Sequence, residues 1–394
     1  MKKKIVVIGH NFNSMLAIAR ALGPENYEIG IVRTGLGGGF IKTLGSAPEK
    51  KSKYVGRYYV SDISRPEELI KLVIDKFSDK DSKPVLFPVD DIAAEILDNN
   101  YDLLRRDFVL PNVNDSQDGI VRLMDKSLQK SLAEESGVPI TKGCSVKIIN
   151  GEYSLPQGIS YPCFVKPEKT FKSRKKFMGK CLNEQEVRRI LDNAAKSVKD
   201  CSMLVENYVQ IDKEYCIVGL CNGSQVCMPD VIDEILMGHE SYSGVTCFGK
   251  IINPDKFNSF IEPLRDFLSR LGFHGLFTID VLESGGKLYF CELNMRIGAS
   301  GPAVIMSGVN LALMLCKILS GDKDIDYSLK CREKTFVNEL PLMTDFGLKY
   351  ITWAEYKEYI KKADIRFLYS PEDKAPMREY MIYMFKQWIK RFVK

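Results

Sequence analysis

The chain has 394 residues, 45% hydrophobic and 27% charged, enough for two or three ordinary globular domains with a sizeable core. Its net charge of +5 is small for that length, and no basic block is interleaved with aromatics, so nucleic acid is not the expected partner. No apolar run approaches the roughly 20 residues that cross a bilayer.

The opening MKKKIVVIGH places lysines before an apolar run, as an export signal does. That run stops after Ile8, too soon for export, and is predicted to be a buried first strand. Through residue 112, short apolar runs (IVVIG, YEIGIVR, PVLFPV) alternate with helical patterns (MLAIARAL, PEELIKLVIDKF, DIAAEIL). This alternation predicts an α/β domain with a parallel sheet. Ligands of such sheets gather at the carboxyl ends of strands, where the sequence puts Gly9 to Ser14, the glycine-rich run Gly35 to Gly39, and Asp90-Asp91. No GxGxxG follows the first strand, which argues against a dinucleotide. Asn13, Asp90 and Asp91 are candidates to face a substrate, and Asp91 alternatively caps a helix over 92–98.

From Asn114 the texture changes. MDKSLQKSLAEESG reads as a helix stopped at Gly137-Val138-Pro139. A strand-rich stretch follows, with a helix over 185–198, and then a second α+β region that runs through a hairpin to a helix near 309–319. Eleven scattered cysteines without a CxxC pair suggest reduced core thiols of a cytoplasmic protein. Three separated histidines do not suggest zinc.

The densest chemistry lies in Phe277–Arg296, FTIDVLESGGKLYFCELNMR. Ser284-Gly285-Gly286 is a hairpin turn that brings Asp280 close to register with Glu292. Strict alternation places Glu292 and Asn294 on a face with Leu288 and Phe290, and Tyr289, Cys291 and Leu293 on the other. Two carboxylates and a carboxamide suit Mg²⁺, which is usually held by one or two carboxylates and its substrate's phosphates. Arg296 could neutralise charge on a transferred phosphoryl group.

The tail predicts a helix over 376–394. Met377, Tyr380, Met381, Met384, Phe385, Trp388 and Phe392 form its apolar face, and Lys386, Lys390, Arg391 and Lys394 its basic end. Docking on its own domain is preferred to peripheral membrane contact.

In order, the chain carries Met124-Asp125-Lys126, Tyr161 to Pro167 with Lys166, Leu204 to Val209 with Glu214, Asp280, and Glu292-Leu293-Asn294-Met295-Arg296-Ile297-Gly298. This series resembles the ATP-grasp superfamily over about Asn114 to Ser320, and the preceding domain is of the matching type. The resemblance implies an N-terminal domain over 1–112, an ATP-grasp domain over 113–325 with a lid over about 141–210, and a C-terminal extension over 326–394. It implies ATP as cosubstrate, with Lys126 and Lys166 on its phosphates, the second on a strand whose ladder Pro167 ends. Glu206, Asn207, Tyr208 and Val209 would form the hinge that reads the adenine edge, and Glu214 would accept from ribose hydroxyls. Mg²⁺, or Mn²⁺ in its place, would sit on Asp280, Glu292 and Asn294. Arg296 would bind the phosphorylated intermediate, with Lys166 beside it in the chemistry and Gly298 near the substrate.

One departure concerns the lid. Where relatives carry a glycine-rich loop, residues 168–180 have one glycine and six basic residues. Lys172, Arg174 and Lys175 could cover the triphosphate with side chains, or reach an anionic acceptor. The implied activity is a carboxylate–amine ligase, similar to amino-acid ligases such as D-aspartate ligase, acting on small molecules through an acyl phosphate in the cytoplasm, with a homodimer open. The alternatives are a bicarbonate-phosphorylating enzyme of the carbamoyl-phosphate synthase or biotin carboxylase type, and an ATP-binding module without turnover.

Overall fold

The computed structural model describes residues 3–35, 47–168, 174–242 and 244–392. Its strands form three sheets. The first contains β1 (Lys4–Gly9), β2 (Glu28–Gly35), β3 (Val55–Asp62) and β4 (Val85–Pro88). They lie in the order β3-β2-β1-β4 with every pairing parallel. β1 is buried from Ile5 through Ile8, as a strand covered on both faces requires. Helices Phe12–Leu22, Pro66–Phe77 and Asp91–Asp98 supply that cover. Most of the Gly35 to Gly39 run lies outside the described residues.

β5 (Asn112–Val113) leaves this unit and pairs with the large sheet. The second sheet holds β6 (Gly143–Ile149), β7 (Glu152–Tyr153), β8 (Cys163–Pro167), β9 (Gly179–Cys181) and β10 (Cys201–Asn207), in the order β7-β6-β10-β8-β9. Helix Glu184–Ser197 starts where the Asn183 side chain accepts from the Glu186 N–H at 3.0 Å. It buries Val187, Leu191 and Ala194 on this sheet. The β8 ladder runs one bond beyond Pro167, because the Glu168 N–H donates to the Ser202 carbonyl at 3.0 Å.

Among the described residues the large sheet contains nine strands. Its central run is β16 (Lys287–Asn294), β15 (Phe273–Ser284), β11 (Lys213–Asn222), β13 (Val231–Met237), β14 (Thr246–Ile252), β17 (Thr335–Val337) and β18 (Ile365–Arg366). β12 (Gln225–Cys227) pairs with β11. Alternation along these strands divides the labour. Phe277, Ile279, Val281, Tyr215 and Ile217 pack one way with Phe260, Leu264 and Phe267 of helix Asn258–Ser269. On the other face Leu276, Val218 and Ile232 join the core with Met15 and Ile18 of the first unit. Farther along that second face, where the first unit no longer covers it, Thr278, Asp280, Glu214, Glu234 and Thr246 line a cavity.

The C-terminal segment is stitched into this architecture. β17 pairs with β14, and β18 with β17. Helix Ala375–Phe392 docks through Tyr380, 4% exposed against Leu16 and Leu368, with Met377 and Met384 at its sides. Met381 and Phe385, placed on the same face by spacing, are 46% and 60% exposed. The docked stripe is therefore narrower than the apolar pattern, since one row at i, i+3 and i+7 suffices for a helix lying in a groove. The side chains of Trp388, Lys390, Arg391, Phe392 and Lys394 lie outside the described set. No described helix is long and apolar enough to cross a membrane.

Candidate functional site

The hairpin forms as its residues dictate. Gly285 and Gly286 adopt φ of +56° and +74°, the left-handed pair that a tight hairpin turn needs. Asp280 pairs directly with Glu292 and Thr278 with Asn294, but Val281 pairs with Phe290, leaving Cys291 as the extra residue of a bulge. The bulge overturns strict alternation. Phe290 is fully buried with Leu293 in the core, while Cys291, Glu292 and Asn294 all face the cavity. A bulge inserts one residue and re-aims those beyond it, so the Phe290 ring stays buried while two consecutive polar side chains reach one site.

Lysines gather opposite. Helix Lys126–Glu135 begins with the Asp125 side chain capping the Ser127 and Leu128 N–H groups at 2.9 and 3.1 Å, which places Lys126 in its first turn, ion-paired with Glu292. Gln129 is 2% exposed. It fastens the helix to β16, donating to the Leu123 and Leu293 carbonyls at 2.7 Å and accepting from the Leu293 N–H at 2.9 Å. Lys130, one turn after Lys126, was not singled out from the sequence. It is 5% exposed, donates to the Thr141 hydroxyl at 2.6 Å and pairs with Glu206. Lys166 reaches the other Glu206 oxygen at 2.8 Å. One buried carboxylate thus serves two ammonium groups. Burial, and then the nearby Lys166 charge, lower the Lys130 pKa to about 7. The i, i+4 spacing from Lys126 was the available signal.

Arg296 donates to both oxygens of Asp91, at 2.9 and 3.1 Å, and to the Asn294 amide oxygen at 3.4 Å. The helix beside it starts at Asp91, with Asp90 as the cap: its Oδ1 accepts from the Ala93 N–H at 2.8 Å and its Oδ2 from the His10 N–H at 2.7 Å. Capping therefore belongs to Asp90, because only the residue before the first turn can turn its side chain back onto free N–H groups. Asp91 is released toward the cavity. Asp91 and Gly298 line the cavity, whereas Asn13 and Asp90 do not. Asn13 instead donates to the Asn338 amide oxygen at 2.9 Å.

All these cavity groups border one space of about 670 Å³ between the lid and the large sheet, lined by Lys126, Lys166, Glu206, Asn207, Tyr208, Val209, Glu214, Asp280, Glu292, Asn294 and Arg296 among others. The Asn207 and Tyr208 N–H groups are already donated to the Lys142 and Pro162 carbonyls, at 2.8 and 3.0 Å. Burial holds the Glu214 carboxyl above its ordinary range. Asp280 is pushed well above it, first by burial and then by the charges of Glu292 and Glu234. Adjacent half-buried carboxylates with hard oxygen donors fit a divalent cation, whose charge would offset their repulsion. Among the described residues no group of three or more His, Cys, Asp and Glu could hold a metal ion alone, so the fit is to a cation completed by phosphate oxygens. Glu234 and its hydroxyl partners Thr246 and Ser300 were also missed, for VIDEILM carries no local signal of a site. Of the lid residues, Lys172 lies outside the described set, and Arg174 and Lys175 fall in a short 3₁₀ helix whose side chains there are not described.

No family model matches the chain. It is 24% identical over 186 residues to formate-dependent phosphoribosylglycinamide formyltransferase of Wolinella succinogenes, covering 46% of each chain. It is 23% identical over 287 residues to D-aspartate ligase of Enterococcus faecium, covering 68% of this chain and 66% of that one. The chain thus spans about half the length of the first relative and just under two thirds of the second. Among solved structures it resembles the biotin carboxylase–β,γ-ATP complex from Campylobacter jejuni, with a TM-score of 0.65 at 15% identity over 85% of this chain and 75% of that one. Fold and site together define an α/β protein with a cavity between a lid sheet and a large sheet. Its fold is like that of these ATP-grasp enzymes, and its sequence is similar to theirs.

Proposed function

We propose that the chain is an ATP-dependent carboxylate–amine ligase, joining a small carboxylate such as an amino acid to an amine through an acyl phosphate. One observation carries this reading: Lys126 and Lys166 on one side of a single cavity, with Lys130 buried behind them on Glu206, face Asp280, Glu292, Asn294 and Arg296 on the other. Lys126 and Lys166 suit a polyphosphate, because ammonium groups held by carboxylates are cations already desolvated and in place. The Val209 N–H and the carbonyls around it are left to read the adenine edge, with Glu214 at the ribose. Asp280, Glu292 and Asn294 would hold Mg²⁺, which supplies charge neutralisation when bound. Arg296 stands where a phosphorylated intermediate needs a counter-charge. The cavity floor holds reactants in place, and positioning plus charge screening is how phosphoryl transfer is usually accelerated.

The E. faecium relative is named as a D-aspartate ligase, which supports amide formation without fixing the substrates. The test is phosphate release from Mg²⁺–ATP with a panel of amino acids and small carboxylates. Release is expected only with particular acid–amine pairs and is removed by Glu292→Gln. Release independent of any acceptor means ATP hydrolysis, and incorporation of labelled bicarbonate means the bicarbonate-phosphorylating alternative.

A further inference from the structure

Glu234 is the acidic side chain on the cavity face that the ligase reading leaves without a task. It lies on β13, two strands from Asp280, since β11 pairs with both β15 and β13. Strand spacing puts the two backbones about 10 Å apart. The β13–β14 register shifts between Asp233 and Leu236, an irregularity of the kind that re-aims side chains beside a site. Its Oε1 accepts from the Thr246 and Ser300 hydroxyls, the latter at 3.2 Å, and those hydroxyls lie 3.1 Å apart. Ser300 follows Arg296 and Gly298 along the same loop, so this hydroxyl shelf continues directly from the group expected to hold the phosphorylated intermediate. The carboxylate faces Glu214, Asp233 and Asp280, and it forms no ion pair among the described residues. The cavity is thus polarised, with ammonium groups at one end and unneutralised acid at the other.

We propose that Glu234 holds the ammonium group of the acceptor and takes the proton it sheds before its nitrogen attacks the acyl carbon and displaces phosphate, so that the second substrate is a cationic primary amine bound at the end of the cavity opposite the lysines. This assignment rests on the ligase reading. A half-buried carboxylate without a cation is unfavourable, and an incoming ammonium removes that penalty only when substrate is present. A second divalent ion fits less well. It would need several oxygen ligands, and one Glu234 oxygen is already committed to two hydroxyl donors. A single remaining oxygen suits one N–H donor. Burial raises the Glu234 carboxyl and the Thr246 hydroxyl counters it, with Glu214 raising it further, the electrostatics of a group that gains from a positive neighbour.

The experiment uses two nucleophiles on one enzyme. Purified protein with Mg²⁺–ATP and each carboxylate of the panel is offered hydroxylamine, which is neutral near physiological pH and traps an acyl phosphate as hydroxamate, or the common amino acids as cationic amines. In Glu234→Gln the ratio of amide to hydroxamate is expected to fall about ten-fold or more, mainly through a higher KM for the amine. Thr246→Val, which removes one hydroxyl donor and keeps the carboxylate, shifts the same ratio by less and provides the test should Glu234→Gln fail to fold. Ratios equal to wild type in both variants overturn the Glu234 assignment and leave the ligase reading standing. Absence of hydroxamate from wild type with every carboxylate overturns the ligase reading, and the assignment with it.

Discussion

Arg296 and Asp91 form a two-pronged ion pair, 2.9 and 3.1 Å long, that ties the large sheet's hairpin to the first helical turn beside β4. Both residues line the cavity, so the bond that joins the two units also aims the guanidinium. Planar matching of two N–H donors to two oxygens fixes direction as well as position. Asp91→Asn keeps the shape and removes the charge. Because breaking a largely buried pair leaves its cation uncompensated, the variant is expected to lose about 2 kcal/mol of stability in urea unfolding. A loss below about 0.5 kcal/mol would class the pair with exposed surface bridges.

Asp280 pulls stability and function apart. Its folded pKa lies well above the ordinary value, so above pH 4 or so the folded state binds more protons than the unfolded one and stability declines as pH rises. At neutral pH burying this carboxyl is therefore a cost. Asp280→Asn is expected to raise the melting temperature of the ligand-free protein by about 3 °C. It should also abolish the further rise expected of the wild type with Mg²⁺–ADP. Differential scanning calorimetry with and without Mg²⁺–ADP reads both; a lower ligand-free melting temperature contradicts the electrostatic account.

Lys130 gives the opposite pH dependence. Its pKa falls from 10.5 to about 7 in the fold, so between those values the unfolded chain holds the proton and the folded chain sheds it. Stability then rises with pH through that window, by at most about 1.4 kcal/mol per pH unit, and is flat below it. Lys130→Met removes the ionisation. Urea unfolding of wild type and variant from pH 6 to about pH 8.5 should show the wild type gaining on the variant above pH 7; parallel curves would mean that Glu206 keeps Lys130 charged throughout.

What the sequence reveals here depends on the range over which each feature is determined. The SGG turn and the period of two place Asp280 opposite Glu292 within twenty residues, and the pairing is as read. The Cys291 bulge was not legible, because it follows from burying Phe290 beside Phe267, a contact with a distant helix. Lys126 entered through its motif, whereas Lys130 matters only because Thr141 and Glu206 close over it. Glu234 is hidden for the same reason. Nothing in VIDEILM states that β13 lies beside β11 or that Ser300 folds back to it; the order of strands makes that site.

Gln129 is the sharpest case of a residue whose importance is wholly tertiary. Its one amide satisfies two carbonyls and one N–H in the interior, two of them belonging to Leu293 between the metal candidates Glu292 and Asn294. Gln129→Leu has nearly the same volume and none of the bonds, so buried backbone groups lose their partners, at about 1–3 kcal/mol each in the worst case. A total loss of about 3 kcal/mol is expected in urea unfolding. Because the same amide fixes the helix that carries Lys126 against the strand that carries Glu292, the KM for ATP should rise several-fold more than kcat falls. A stable variant with an unchanged KM would show that the Lys126–Glu292 pair sets the position of this helix without Gln129.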